Sequence, residues 1–103
     1  MKEKLDEKQI KFLQENGVPK LRWDVNNNPV YRIDDLLWLL PRVLHKEGLA
    51  YDYNLTMDWC EDIQQWRATY DAIGDNMGSK TAYELIDALF DLLCSVIDKV
   101  HWN

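Results

Sequence analysis

Four carboxylates near the end of the chain form its most regular polar pattern. They recur three, four and seven residues apart with no Lys among them, at Glu84, Asp87, Asp91 and Asp98, and are called the acidic face below. Side chains at such spacings share one side of a helix. A basic protein partner or plain solvation would each account for this face. Hydrolysis by paired carboxylates needs converging groups with separated pKa values, so we predict no catalysis here.

Three metal-ligating residue types share one edge of the same segment. Cys94, Asp98 and His101 lie four and three residues apart, and all three types bind transition metals. However, His101 lies at the predicted end of the helix and Cys94 borders its apolar side. We therefore predict a structural thiol and no bound metal or cofactor.

Other catalytic patterns are missing from the sequence. His45 and Cys60 are the types needed for a Cys–His pair, but no sequence feature places them together. We find no phosphate-cradling Gly-rich loop, nucleophile elbow or HExxH motif. The sequence therefore predicts a protein that is not an enzyme.

Aromatic residues are unusually frequent, with five Trp and five Tyr among 103 residues. Most are expected in the core, and any surplus would form a binding surface. They are Trp23, Trp38, Trp59, Trp66, Trp102, Tyr31, Tyr51, Tyr53, Tyr70 and Tyr83.

The clearest structural pattern lies in the middle of the chain, where apolar and polar residues alternate from Leu49 to Cys60. A period of two over this length predicts a strand with one buried face. A second alternating run begins at Trp66. Pairing Trp59 with Trp66 also sets Asp58 opposite Arg67, which is a favourable cross-strand pair. A register shifted by two residues would keep the apolar side chains on the same face of the sheet and therefore remains an alternative.

The remaining elements are predicted from their boundaries. Residues 2–16 read as a helix that ends at Asn16-Gly17. Residues 21–25 and 30–33 are short strands or extended loop. Asp34 caps a brief helix that ends before Pro41, and because this helix is apolar nearly all round we expect it to be buried on all sides. Residues 46–48 resemble a hairpin loop, and residues 74–78 are expected to form a flexible break. Ser79 then caps a last helix that runs to about Val100.

Together these elements predict a single α+β domain over residues 1–103. A three-stranded antiparallel meander, at about 42–46, 49–60 and 65–73, packs on the long C-terminal helix. The N-terminal helix and the short helical segment lie alongside. The apolar side of the last helix is wider than one sheet face needs, which makes homodimerisation a hypothesis.

Composition narrows the classes of function. The net charge of −6 argues against direct nucleic-acid binding, which needs clustered Lys and Arg. The densest apolar run, Leu36 to Leu40, is too short for a membrane span, and the charged N-terminus is unlike a secretory signal. Two cysteines are too few for a disulfide framework, so reduced thiols and a cytoplasmic location are expected.

Residues 36 to 100 resemble small uncharacterised proteins of bacterial phages and other mobile elements. The resemblance lies in Leu40-Pro41 after a Leu-rich segment, the Tyr- and Trp-rich hairpin, and the closing Leu85-Ile86-Asp87-Ala88-Leu89 helix. It implies an accessory protein that acts by binding.

Three functions follow in order of preference. The first is a non-enzymatic protein-binding module that uses the acidic face or an exposed sheet edge with its aromatic residues. The second is an acidic mimic of nucleic acid that inhibits a DNA- or RNA-binding protein. The third is a small metal-binding protein or enzyme.

Overall fold

The structure is a computed structural model that describes residues 1–45, 48–49 and 51–102. Its four strands form one antiparallel sheet in chain order, and α3 packs against β3 and β4. No helix in these residues is long and apolar enough to cross a membrane. The elements are α1 (Glu7–Glu15), α2 (Ile33–Leu39), β1 (Val43–His45), β2 (Asp52–Cys60), β3 (Gln65–Ala72), β4 (Asp75–Ala82), α3 (Leu85–Val96) and a 3₁₀ turn (Ile97–Lys99).

The central hairpin has the predicted register. Trp59 lies opposite Trp66, and their rings meet edge to face with centroids 5.5 Å apart. On the other face of the sheet, the Arg67 guanidinium donates to both carboxylate oxygens of Asp58, at 2.7 and 3.1 Å. The α+β class and the C-terminal helix on the sheet are thus confirmed, and these two pairs select the register.

The prediction of three strands is wrong, because residues 75–82 form a fourth strand instead of a break and a helix start. Ser79 lies opposite Thr69 in the sheet, and their hydroxyls are 3.0 Å apart, so it does not cap α3. Tyr53 on β2 donates to Asp75 on β4 at 2.5 Å, across the intervening strand. This hydrogen bond and burial raise the pKa of Tyr53.

The boundaries of α1 and α3 also differ from the prediction. Helix α1 begins at Glu7 because Asp6 accepts from the Gln9 N–H and the Gln9 side chain accepts from the Asp6 N–H. Helix α3 begins at Leu85, after an extended Glu84, and ends at Val96 rather than at Val100.

Helix α2 begins one residue before the predicted cap. Arg32 occupies the N-cap position, and its N–H donates to the Asp35 carboxylate at 2.9 Å. Arg22 donates to the same carboxylate, which is only 6 % exposed. The expectation that α2 is buried all round is wrong, since Trp38 is 66 % exposed.

Residues 21–33 are mostly extended loop, one of the two predicted alternatives. A single bridge joins Trp23 to Pro29, and another joins Lys4 to Arg32. The predicted 46–48 hairpin loop falls partly outside the described residues, since only Gly48 of the three is described. Gly48 has a positive φ of 88°, as expected for a hairpin loop with its glycine in the left-handed conformation.

The core lies between the sheet and the helices. Tyr31, Tyr53 and Tyr70 are fully buried there with most of the leucines of α2 and α3. Each buried hydroxyl has a partner: Tyr31 donates to the Pro19 carbonyl and Tyr70 to the Pro41 carbonyl. The expectation of buried aromatics is therefore confirmed for these three. It is wrong for the exposed Trp23, Trp38, Trp59, Tyr51 and Tyr83.

Candidate protein-binding edge

The acidic face is partly occupied by the chain's own N-terminal segment. The Lys2 ammonium lies 2.7 Å from an Asp87 oxygen, and Gln9 donates to the same oxygen at 2.9 Å. The Lys2 backbone N–H donates to the Glu84 carboxylate at 3.1 Å. These two carboxylates therefore already have a cation and amide donors as partners.

The other two acidic residues occupy different surroundings. Asp91 lies on α3, where partial burial of its carboxyl group and then the charge of Asp87 raise its pKa. Asp98 lies beyond α3 in the 3₁₀ turn, with the Lys99 ammonium 3.5 Å away. The four carboxylates therefore do not share one helix face.

The residues considered for metal binding do not form a site. Within the described residues, no group of three or more His, Cys, Asp or Glu side chains could hold a metal ion, and Cys94, Asp98 and His101 are no exception. Burial raises the pKa of the half-buried Cys94 thiol to about 11, which disfavours the thiolate that metals bind.

His45 and Cys60 are also far apart. His45 lies opposite Asp52 at one end of β2, with its Nδ1 atom 2.7 Å from an Asp52 oxygen. Cys60 is eight residues further along that strand, a distance of about 26 Å at ~3.3 Å per residue. The structure therefore provides no Cys–His pair.

The outer edge of β2 carries unpaired backbone next to exposed apolar side chains. Strand β1 pairs only with Asp52, Tyr53 and Asn54, and the Leu55 N–H then donates to the Arg42 carbonyl at 2.9 Å. Among the described residues, no strand pairs with this edge from Thr56 to Cys60. We call this stretch the free edge.

The backbone groups at the free edge belong to Met57 and Trp59. Alternate residues of an antiparallel strand point their N–H and C=O groups to the same side. Because the Leu55 N–H points toward β1, those of Met57 and Trp59 point the same way, where the described chain offers no partner strand. Their side chains are 41 and 42 % exposed.

The opposite edge of the sheet lacks these features. Strand β4 carries Gly78, Lys80 and no aromatic residue, and its pairing with β3 shifts register between Thr69 and Asp71. Charge, glycine and irregular pairing are devices that protect an edge strand from further pairing. The two edges of the sheet therefore differ in their capacity to accept a strand.

A cavity of about 620 Å³ opens where β1 begins beside β2. Apolar side chains supply most of its wall, and one cation, Arg42, lies among them. The Arg42 side chain is exposed and makes no ion pair or hydrogen bond with any described residue. The lining residues are Leu37, Arg42, Val43, Asn54, Leu55 and Met57.

The charge changes sign along the free edge. Arg42 lies at its Leu55 end, whereas exposed Glu61 and Asp62 follow its Cys60 end. Glu61 accepts from the Trp59 indole N–H at 2.8 Å, which places this carboxylate beside the indole ring. The free edge thus has a positive end and a negative end.

Comparison of the chain with protein-family models, with curated proteins and with solved structures found no match. Sequence reasoning named an exposed sheet edge as one binding surface but did not single out Arg42, Met57 or Trp59. No residue pattern specifies how far β1 extends along β2, so the sequence held no signal that could have located the free edge.

Proposed function

We propose that this protein is a non-enzymatic binding module that accepts an extended segment of another protein as an added strand on the free edge of β2. The observation that supports this most directly is that β2 continues for five residues, Thr56 to Cys60, beyond Leu55, which donates to the Arg42 carbonyl just before β1. Strand addition is a general mode of peptide recognition, in which backbone hydrogen bonds give affinity and alternate side chains give specificity.

The energetics favour an added strand over solvent at this edge. Met57 and Trp59 offer up to four backbone hydrogen bonds, each with a net contribution of about 1 kcal/mol. Covering their exposed side chains removes further apolar surface from water at about 25 cal/mol per Å². The edge-to-face contact between Trp59 and Trp66 orients the Trp59 ring before a partner arrives.

The acidic face is a weaker candidate for the same role. A basic partner would have to displace Lys2 from Asp87 and the Lys2 N–H from Glu84 before it gained those contacts. The free edge requires no such displacement within the described chain. This comparison favours the edge over the acidic face and over mimicry of nucleic acid.

The experiment is a selection of random peptides against the protein, followed by affinity measurements on edge variants. Met57→Lys places a charge on the free edge and should weaken binding of the selected peptides at least tenfold. Thr81→Lys adds the same charge to exposed β4, so it should leave affinity unchanged. Circular dichroism of both variants should match that of the unmodified protein.

Hydrogen exchange supplies an independent readout. A bound peptide should slow exchange of the Met57 and Trp59 amides, while the exposed turn around Gly74 stays unchanged. The proposal fails if the selected peptides bind Met57→Lys as well as they bind the unmodified protein. It also fails if protection appears along α3 and not along β2.

A further inference from the structure

We infer that the segment bound at the free edge is the C-terminal end of a partner chain, bound antiparallel to β2 with its terminal carboxylate at Arg42. This inference rests on the proposed function and adds the direction, the chain end and the charge pattern of the bound segment. Three features of the described residues carry it: the path of the chain at Pro41, the charge of Arg42, and the carboxylates beyond Cys60.

The first feature is a steric stop at one end of the free edge. The Pro41 carbonyl accepts from the buried Tyr70 hydroxyl at 2.7 Å, so the chain at Pro41 lies on the core side of the sheet. At Arg42 it reaches the edge, where the Arg42 carbonyl accepts from Leu55. An added strand that ran past Thr56 would collide with this segment. It must turn away or end there.

The second feature decides the direction. A strand antiparallel to β2 runs in the same direction as β1, so its C-terminal end meets the stop. A parallel strand would place its N-terminal end there. The Arg42 guanidinium, which has no partner among the described residues, attracts a carboxylate and repels an ammonium, and Arg binds carboxylates through two parallel hydrogen bonds. An antiparallel C-terminus therefore fits this end.

The third feature concerns the residues upstream in the bound segment. In the antiparallel direction they approach Glu61 and Asp62, which favour Lys or Arg. The final residues lie beside Thr56 and Met57, and the adjoining cavity of about 620 Å³ can receive an apolar side chain there. The preferred ligand is thus a C-terminal segment that is basic upstream and apolar at its end.

A second copy of this chain fits the free edge less well. The register that pairs all of residues 56–60 with the same residues of the copy avoids Arg42. That register sets Asp58 directly opposite the Asp58 of the copy, and like charges opposite each other destabilise a sheet. Each Asp58 is already paired with Arg67, so no cation is left between them.

The test compares two peptide libraries on one carrier protein. In the first, ten random residues end in a free carboxylate; in the second, the same ten residues are followed by a Gly-Ser tail. We expect enrichment from the first library, with apolar final residues and basic residues upstream. Synthetic peptides from this selection should bind about tenfold more weakly as C-terminal amides than as free acids.

Arg42→Gln provides the matched variant, because the Arg42 side chain is exposed and its replacement should leave the fold unchanged. It should reduce the difference between acid and amide to less than twofold, and Arg42→Lys should retain part of it. Equal enrichment from both libraries would overturn the C-terminal inference. If Met57→Lys abolished that enrichment, the proposed strand addition on the free edge would still hold. No enrichment from either library would overturn both. A dimer that Met57→Lys dissociates would identify a second copy as the occupant and also overturn the inference.

Discussion

Replacement of Gly78 by Ala tests the contact between β4 and α3, the part of the fold that differs most from the sequence prediction. Gly78 has φ +92°, a region that residues with a Cβ rarely adopt. An added Cβ would lie 3.2 Å from the Ser95 hydroxyl and 3.4 Å from a Leu92 methyl group. Gly78→Ala therefore combines backbone strain with a close side-chain contact.

The two contributions have separate magnitudes. The left-handed backbone costs a residue with a Cβ about 1–2 kcal/mol. Relief of the close contact requires the Ser95 hydroxyl to leave the Leu92 carbonyl, to which it donates at 2.7 Å, at a further cost of about 1 kcal/mol. We expect Gly78→Ala to lower the free energy of unfolding by about 2–3 kcal/mol.

Gly74→Ala is the matched control. Gly74 also has a positive φ, +78°, but nothing lies within 4 Å of its added Cβ. Gly74→Ala should therefore lower the free energy of unfolding by the backbone contribution alone, about 1–2 kcal/mol. Urea denaturation followed by Trp fluorescence measures the free energy of unfolding of both variants. In a Ser95→Ala background, where the hydroxyl group is gone, the difference between the two variants should shrink. Equal losses at the two glycines in the unmodified background would refute the close packing of α3 on β4.

Two further predictions concern buried polar groups. Arg22→Met should lower the free energy of unfolding by about 2 kcal/mol, because it leaves the buried Asp35 carboxylate with only the Arg32 N–H as a donor. Asp34→Asn is the control, since it removes an exposed carboxylate bonded to the same Arg22, and it should change the free energy of unfolding by less than about 0.5 kcal/mol. Equal losses in the two variants would contradict this account. Iodoacetamide at pH 8 should modify Cys94 about 100-fold more slowly in the folded protein than in urea, because burial raises the pKa of this thiol from 9.0 to about 11. Mass spectrometry of the labelled peptides measures both rates. Similar rates would mean that the Cys94 thiol is accessible as a thiolate in the folded protein.

The central hairpin was predictable because local pairs select its register. Alternation placed the apolar side chains on one face, and only one pairing joins Asp58 to Arg67 while also setting Trp59 opposite Trp66. Interactions between strands that are close in sequence leave matching residue types on both sides of one turn. Such patterns are readable in a single sequence.

Strand β4 was not predictable by the same means. Its residues lack alternation, and Gly78 and Ser79 resemble a loop and a helix cap. What makes this segment a strand is tertiary: the open edge of β3, the Tyr53–Asp75 hydrogen bond and the close approach to Ser95. Context of this kind overrides local propensity.

The candidate site was predicted only in part. An exposed sheet edge was expected, but its position depends on how far β1 extends along β2, which no residue pattern specifies. Helical spacing placed only Asp87 and Asp91 of the acidic face correctly on α3. Its contacts with Lys2 could not be foreseen, because they join residues more than 80 positions apart.

That separation has a consequence for biosynthesis. Lys2 and Asp87 are 85 residues apart, and the Trp102 indole donates to the Leu39 carbonyl 63 residues earlier. The sheet, in contrast, consists of successive hairpins whose partners are close in sequence, and such contacts form quickly. On the ribosome, β1 to β3 can therefore pair while α3 is still being translated. The contacts of Lys2 must wait for the last helix, so a nascent chain paused before residue 84 should hold the segment before α1 only where Lys4 and Leu5 pair with Arg32 and Tyr31.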